Sequence, residues 1–393
     1  MFVKESVKVE EGDVMSQFTK NDTQKVKGLA IILMMIHHCF LGPERYKGQI
    51  VSFWPFLEAN VNHFALAMKI CVALFTFLSA YGMYLSYKNK MEAHGGTLRL
   101  KDVYTIVSKR LITLMCGYWS VFLSVQAWSL VVARDHRFIR VYGRGIKSAL
   151  YFIIDLLGLA EFFRTPTFLA TFWYMSLALI IIILMPVLTV VYKKCGAIVL
   201  LPLSVLFAVL FPVTSKHTMA YLPSYLTCVC LGSVTAEHDW IVKLKKNFTA
   251  KKSGCMGRKV VRLVLELSAL ILLLHWRQLT RYTSLLPIWD AIIPLLIIVW
   301  MFEYVNTIPY VGQSLYYLGV HSMNIFLIHN FVRVIWYYKF TYSFKYASLI
   351  VIVLLCISLV VSVLLERVKV LCHYGALVDW LQNKVLAKIE RSF

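Results

Sequence analysis

Long apolar stretches alternate with short polar connections along the chain. An α-helix needs roughly 20 apolar residues to cross the hydrocarbon core of a bilayer, and ten stretches approach or reach that length. The pattern predicts an all-α fold, a polytopic bundle of about ten transmembrane helices. The predicted spans cover residues 26–42, 64–87, 111–133, 168–192, 196–213, 219–236, 261–276, 285–303, 318–337 and 347–365.

A further apolar run, SALYFIIDLLGLAEFF (148–163), is short and is interrupted by Asp155 and Glu161. Its length and charges favour an interfacial or re-entrant element over a span. If it crossed the bilayer, every later segment would change sides, and the basic loop KLKKNFTAKKSGCMGRKVVR would lie outside. We therefore prefer the arrangement that keeps this loop in the cytoplasm.

The distribution of basic residues predicts the orientation of the bundle. With a cytoplasmic N-terminus, 26 of the 41 Lys and Arg residues fall in cytoplasmic segments and 14 in outer segments, as the positive-inside rule requires. Both termini are then cytoplasmic, although the basic outer loop RDHRFIRVYGRGIK (134–147) departs from the bias.

Three regions follow from this arrangement. They are a polar cytoplasmic N-terminal segment (1–25), a transmembrane domain (26–365) and a cytoplasmic tail (366–393). The tail has apolar residues at helical spacing, which is typical of an amphipathic helix on a membrane surface.

Composition narrows the class of protein. Hydrophobic residues make up 59% of the chain and charged residues 16%, which excludes an ordinary soluble domain. The formal charge of +21 lies in short loops between apolar runs, so the lipid bilayer, and not nucleic acid, is the expected partner. The nine cysteines are scattered, mostly within apolar runs, and we expect neither disulfides nor a metal site.

The first predicted span, KGLAIILMMIHHCF, carries a lysine and two histidines. At about 100° and 1.5 Å per residue, Lys27 and His38 lie about 20° apart around the helix and roughly 16 Å apart along it. The lysine then lies at the cytoplasmic mouth and His38 near the bilayer midplane. The alternatives are a flanking lysine that reaches the interface and a histidine that donates to a neighbouring helix.

Other polar side chains in the spans are candidates for the same site. His329 is a second intramembrane histidine, on the ninth span. Candidate substrate contacts are Ser79, Trp173, Tyr174 and Asn324. Helix packing explains a serine between spans equally well, and an interfacial aromatic belt explains the Trp and Tyr.

One carboxylate lies in the outer half of the eighth span. Asp290 has no charged partner among its sequence neighbours. It either faces an acceptor cavity or pairs with Arg277 or Arg281.

Five motifs resemble those of the acyltransferase 3 family of integral membrane O-acyltransferases. In KGLAIILMMIHHCF a basic residue precedes a histidine by eleven positions, as in the first span of that family. FTFLSAYGMY is similar to the second-span pattern FFFLSGYG. SKRLITLMCGYW resembles the RxxR-bearing start of the third span, with Arg110 at the first arginine and Thr113 at the second. FWYMSLALIIIILMP and LGVHSMNIFLIHN resemble two later spans, so the resemblance extends from about residue 20 to 370.

The resemblance implies transfer of an acyl group, acetyl in our interpretation, from cytoplasmic acyl-CoA to a hydroxyl of a cell-envelope or exported saccharide or glycolipid. It implies that His38 and His329 are catalytic, with His38 as the base, and that Lys27 and Arg110 contact the CoA phosphates. Acyl-CoA is then a donor substrate, no cofactor is bound permanently, and the bacterial cytoplasmic membrane is the expected location. Direct attack and a covalent acyl-histidine relay both remain open.

Two other functional classes fit parts of the sequence. A secondary transporter would use His37, His38 and His329 to carry coupled protons, but the chain shows no repeat symmetry or paired broken spans. A non-catalytic membrane module would leave chemistry unchanged when His38 is substituted.

Overall fold

The computed structural model describes residues 17–132, 137–211, 221–249, 256–305 and 308–393, and these contain no β-strand. The helices of the first half are α1 Lys20–Phe40, α2 Glu58–Ala67, α3 Ile70–Ala93, α4 Leu100–Val132, α5 Arg137–Tyr142, α6 Ile146–Leu156, α7 Ala160–Phe163, α8 Trp173–Cys195 and α9 Ala197–Leu210. Those of the second half are α10 Tyr221–His238, α11 Trp240–Thr249, α12 Met256–Leu279, α13 Leu286–Tyr304, α14 Pro309–Val320, α15 Ser322–Asn330, α16 Tyr338–Tyr342, α17 Ala347–Leu371 and α18 Tyr374–Ser392.

The all-α helix bundle is confirmed, and each of the ten predicted stretches coincides with a helix or a bent pair. Among the described residues, five helical segments are long and apolar enough to cross a membrane. A sixth is formed if α14 and the segment Ser322–Trp336, bent by 67°, count as one span. The predicted span α1 is not among them, since Lys25, Lys27 and the two histidines make it less apolar, and α9 has only 14 residues. The total of ten stays a prediction.

Burial within the most apolar windows separates inner from outer helices. The window in Glu58–Ala93, which includes α3, is 67% buried, whereas those of α4 and α17 are only 28% and 22% buried. The outer helices therefore present broad apolar surfaces away from the bundle, which water would disfavour and lipid tails accommodate. This is the arrangement of a multi-pass membrane protein.

Two glycines allow α1 and α14 to cross with their backbones in contact. A Cβ atom at Gly28 would collide with the carbonyl group of Leu315, and one at Gly319 with the carbonyl group of Gln24. At its start, α1 has a capping box in which Thr19 accepts from the Asp22 N–H and donates to the Asp22 carboxylate. The N-terminal half of α1, which carries Lys27, is thus held in one orientation.

The interrupted run 148–163 forms α6 and α7 and not a continuous helix. The 11 residues of α6 extend about 16 Å, too short for the hydrocarbon core. Asp155 at its end accepts hydrogen bonds from the Tyr142 hydroxyl at 2.6 Å, the Phe168 N–H at 2.6 Å and the Thr167 hydroxyl at 2.9 Å. The carboxylate that interrupts the run therefore fastens the connection between α4 and α8. Of the basic loop 134–147, residues 134–136 lie outside the described residues.

The tail forms the predicted helix, α18, which packs along the start of α4. The Tyr374 hydroxyl donates to the Cys116 carbonyl at 2.7 Å, and the Gln382 amide donates to the Thr113 hydroxyl at 3.0 Å. Residues 1–16 of the predicted N-terminal segment lie outside the described residues.

Candidate active site

A cavity of about 460 Å³ opens among α1, α3, α8 and the bent segment that contains α15. Its lining includes His38, Trp173 and Tyr174, which the sequence singled out. Its volume is in the range of cavities that bind small ligands.

His329 lies behind His38 and does not line the cavity. It is fully buried, and its ring centroid is 4.9 Å from that of His38. The His329 Nδ1–H donates to the Phe326 carbonyl at 2.8 Å and the Ile325 carbonyl at 3.2 Å. Because a carbonyl oxygen only accepts, these contacts assign the proton of the neutral ring to Nδ1 and leave a lone pair on Nε2.

The two facing rings each carry a nitrogen that lacks a hydrogen bond. Nε2 of His329 and Nδ1 of His38 are buried and have no hydrogen-bond partner among the described residues. A proton on Nδ1 of His38 is the arrangement that lets this ring donate toward the His329 lone pair. Nε2 of His38 is then a free base beside the cavity.

His37 is held apart from this pair. Its Nδ1–H donates to the Ala65 carbonyl of α2 at 2.8 Å, and its ring centroid is 5.2 Å from that of His38. The hydrogen bond fixes the α1–α2 contact and the position of His38 next to it. The structure thus gives the adjacent histidines different surroundings.

Arg333 is a site residue that the sequence interpretation missed. It is 2% exposed and lines the cavity, and its charge acts on both His38 and His329. Its guanidinium donates to the Asn330 side-chain oxygen at 2.9 Å and the Tyr342 hydroxyl at 3.2 Å. Its spacing in the sequence could have indicated this role, because Arg333 follows His329 by four residues and residues four apart are neighbours on a helix.

Other charged groups line the same cavity. Arg45 follows α1, Lys69 precedes α3, and Glu161 belongs to α7. With Arg333, the lining has three cations and one carboxylate. An excess of positive charge next to the histidines favours substrates or transition states that carry negative charge.

Three aromatic rings form part of the cavity wall. Trp173 and Tyr174 have ring centroids 5.8 Å apart, and Tyr174 is 5.5 Å from Phe326. The start of α8 places both rings at the cavity, where they can cover an apolar face of a substrate. The two predicted aromatic contacts are therefore brought together with His38.

Lys27 and Arg110 lie near each other and do not line this cavity. Their charges are close enough to interact. Arg110 donates to the Gly82 carbonyl at 3.3 Å and to the Ser86 hydroxyl at 3.4 Å. Phe75, which lines the cavity, lies on the same face of α3 as Gly82 and Ser86, at helical spacing. This face of α3 therefore extends from the residues that Arg110 contacts to the cavity.

Ser79 lies on this face between the two ends. It is exposed, its hydroxyl donates to the Phe75 carbonyl at 2.8 Å, and it is within hydrogen-bonding reach of Tyr174. It does not line the cavity, and its predicted contact with substrate stays a prediction.

Asn324 lies away from the cavity. Its amide donates to the Ser362 hydroxyl at 3.0 Å and the Glu366 carboxylate at 2.7 Å, and His321 contacts Ser362 at 2.9 Å. Five residues of helix place Asn324 about 140° from His329 around the axis, so it faces α17. Its proposed role in substrate binding stays a prediction.

A separate basic cavity of about 410 Å³ adjoins the tail helix. Its lining comprises Lys90, Arg99, Lys101, Asp102, Thr105, Lys109, Leu386 and Glu390. Lys109, which lines this cavity, precedes Arg110 in α4.

Comparison with known proteins places the chain in a family. A family model described as an acyltransferase domain, Acyl_transf_3, matches residues 26–367, most of the chain. Neither curated proteins nor solved structures give a match. The match covers the helices that carry Lys27, His38, Arg110 and His329. The chain belongs to the acyltransferase 3 family.

Proposed function

We propose that this chain transfers an acyl group, acetyl in particular, from cytoplasmic acyl-CoA to a hydroxyl of a cell-envelope or exported saccharide. The observation that carries the proposal is the His38 and His329 pair at the cavity, in a chain whose family performs acyl transfer. Its environment supplies a base, positive charge and aromatic surface within one cavity.

The chemistry requires one proton acceptor and one site for negative charge. The acceptor hydroxyl gives its proton to Nε2 of His38 as its oxygen bonds to the acyl carbon. The tetrahedral intermediate that results carries an oxyanion, which the guanidinium of Arg333 stabilises. Collapse breaks the carbon–sulfur bond, and the CoA sulfur leaves with the proton that His38 held.

His329 acts on this sequence through His38. Its Nε2 lone pair, which has no hydrogen-bond partner among the described residues, accepts from Nδ1 of His38 once the substrate complex tightens the site. This keeps the proton off Nε2 of His38 before the reaction begins. When His38 becomes cationic, the same hydrogen bond stabilises the charge. His329 is therefore a positioning residue.

Lys27 and Arg110 meet the phosphates of the donor in this proposal. A cation at the cytoplasmic end and a base roughly 16 Å deeper on the same helix suit a donor with charge at one end and a thioester at the other. The basic cavity at the tail, whose lining includes Lys109 from the same helix as Arg110, is the candidate site for the nucleotide end. Acyl-CoA is in this view a substrate and not a resident cofactor.

The topology that we propose has ten spans with both termini in the cytoplasm of a bacterium. The bias of basic residues supports this orientation, which places Lys27 inside and Arg45 and Arg333 on the outer side. The cavity then opens toward a saccharide or glycolipid acceptor at the outer face of the cytoplasmic membrane.

The test is transfer of radiolabelled acetyl from acetyl-CoA to envelope saccharide in membranes with wild type, His38→Ala or His321→Ala at matched expression. We expect label in saccharide with wild type and His321→Ala, and loss with His38→Ala. His321 is a matched control because it lies with Ser362, outside the cavity.

Equal labelling with wild type and His38→Ala would remove His38 from the mechanism. Absence of label with wild type would reject the donor, and the same membranes would then be tested for proton-coupled solute uptake. Thermal unfolding of both purified variants checks that the fold is kept.

A further inference from the structure

A second cavity, of about 540 Å³, is lined by residues from α9, α10, α12 and α13. Lys69 lines both this cavity and the one at His38. Each volume suits one small ligand. The two cavities are therefore neighbouring compartments that meet at one lysine.

An amide in this second compartment lacks a partner. Gln278 is 5% exposed and lines the cavity, and its Nε2 is buried with no hydrogen-bond partner among the described residues. A buried donor without a partner is costly, and such groups in folded proteins are usually satisfied. A bound ligand with an acceptor oxygen would satisfy it.

An ion pair lies beside the amide. Nε of Arg277 contacts Oδ1 of Asp290 at 2.6 Å, and the two side chains are 4% and 3% exposed. The sequence interpretation allowed Asp290 either this pairing or a cavity position, and it has both. Lys69 and Arg281 are the other two cations of the lining.

The remaining lining combines hydroxyls and aromatic rings. Ser224, Thr283 and Ser284 contribute hydroxyls, and Tyr225 and Tyr282 contribute rings. A hydrocarbon chain would leave the amide and the ion pair without solvent or ligand. A polyhydroxylated ligand, which offers oxygens to the amide and ring faces to the tyrosines, fits this lining better.

We propose that the second cavity is an acceptor subsite, which holds the sugar unit adjacent to the one acylated at His38. The saccharide would extend past Lys69, with one unit in each cavity and the Gln278 amide donating to an oxygen of the second unit. The inference rests on the proposed function, and it specifies that the acceptor has at least two sugar units.

The experiment uses purified full-length protein in detergent and saccharides from partial acid hydrolysis of the organism's own envelope polysaccharide, separated by length. Binding of monosaccharide, disaccharide and tetrasaccharide fractions is measured by titration of tryptophan fluorescence, and acetyl transfer to each is measured separately. The variants are Gln278→Leu, which keeps the volume, and Gln313→Leu, a glutamine exposed elsewhere on α14.

We expect wild type to bind disaccharide about tenfold more tightly than monosaccharide, as one good additional contact implies. Gln278→Leu should abolish this preference and leave monosaccharide binding and transfer unchanged. It should not lower the unfolding temperature, because it removes an unsatisfied group. Gln313→Leu should behave as wild type.

Equal affinity of wild type for monosaccharide and disaccharide would overturn the subsite. So would a Gln278→Leu variant whose affinity for the monosaccharide and for the disaccharide changes by the same factor. If label reaches saccharides of every length with equal efficiency, the subsite is rejected while the transferase function stands. If no saccharide is bound or labelled, the acceptor class of the proposed function is rejected, and the subsite with it.

Discussion

The rings of His38 and His329 lie 4.9 Å apart, and each carries one buried nitrogen without a hydrogen-bond partner among the described residues. The backbone carbonyls around His329 dictate which of its nitrogens holds the proton. Because Nε2 of His329 carries the lone pair, a hydrogen bond within the pair would form with His38 as donor and His329 as acceptor.

This direction predicts strong coupling between the two histidines. We expect His38→Ala to lower kcat by about 10²- to 10⁴-fold, the usual range for a positioned base, and His329→Ala to lower it less. Because His329 acts through His38, the double variant should be no slower than His38→Ala. Initial rates with acetyl-CoA and saturating saccharide measure this, and multiplicative losses would contradict the relay.

Removal of Lys27 should weaken donor binding more than it slows chemistry. A charge-assisted contact with a phosphate contributes about 1.5–3 kcal/mol, so we expect KM for acetyl-CoA to rise about ten- to hundredfold in Lys27→Ala. Lys25→Ala is the matched control, since it removes one positive charge from the same helix and its partner is Asp22 at 3.4 Å. Equal KM values for the two variants would show that overall charge, and not a contact at Lys27, attracts the donor.

Substitution of Arg333 should change kcat more than it changes KM for acetyl-CoA or KM for the saccharide. Loss of one oxyanion donor lowers kcat by about 10²- to 10³-fold in other enzymes, and we expect a loss of this order for Arg333→Met. Arg333→Lys keeps the charge but not the forked contacts with Asn330 and Tyr342, so it should recover only part of the rate. Full activity of Arg333→Met would exclude it from charge stabilisation.

The glycine contact between α1 and α14 predicts a stability effect that depends on position. Gly28→Ala places a methyl group against the Leu315 backbone, and overpacking of this kind costs about 1–3 kcal/mol. Gly375→Ala in α18, where no atom lies within 4 Å of the added carbon, should instead be neutral or slightly stabilising. Thermal unfolding in detergent distinguishes the two, and an unchanged midpoint for Gly28→Ala would argue against the crossing.

Asp155 predicts a dependence of stability on pH. Burial raises the pKa of its carboxyl, although hydrogen bonds from Tyr142, Phe168 and Thr167 oppose the rise. A raised pKa means that the folded state holds the proton more tightly than the unfolded state. The resulting contribution to the free energy of unfolding is fully present below the unfolded pKa of about 3.9 and is lost as pH rises through the folded pKa.

The check is the unfolding midpoint of wild type and Asp155→Asn across that pH range. The difference in favour of wild type should shrink as pH increases. A difference that stays constant would mean that the carboxyl does not titrate in this range.

Local periodicity was sufficient to predict the parts of the site that one helix determines. Lys27 and His38 share a stripe because both belong to α1, and Trp173 and Tyr174 are neighbours in sequence. Contacts between helices were not accessible in this way. The tautomer of His329 depends on carbonyls that only a folded segment presents, and the compartment at Gln278 needs helices that are distant in sequence.

Two positions in the second half of the chain show what helix geometry adds to the sequence interpretation. Asn324 is a predicted substrate contact, but helical geometry turns its side chain to α17, and its role in substrate binding stays a prediction. Arg333 belongs to the predicted outer segment, and the bent segment Ser322–Trp336 also brings it to the cavity, a contact that the sequence interpretation missed.

Helix α1 is a rigid rod, so the separation of Lys27 and His38, roughly 16 Å, does not adjust to the ligand. Under the proposed function, this separation selects a donor by the distance between its phosphate and thioester groups and does not depend on the acyl group. An inserted residue between the two positions would lengthen the rod by only about 1.5 Å but turn His38 by about 100° away from His329. Insertions and deletions in this stretch are therefore far less tolerable than substitutions.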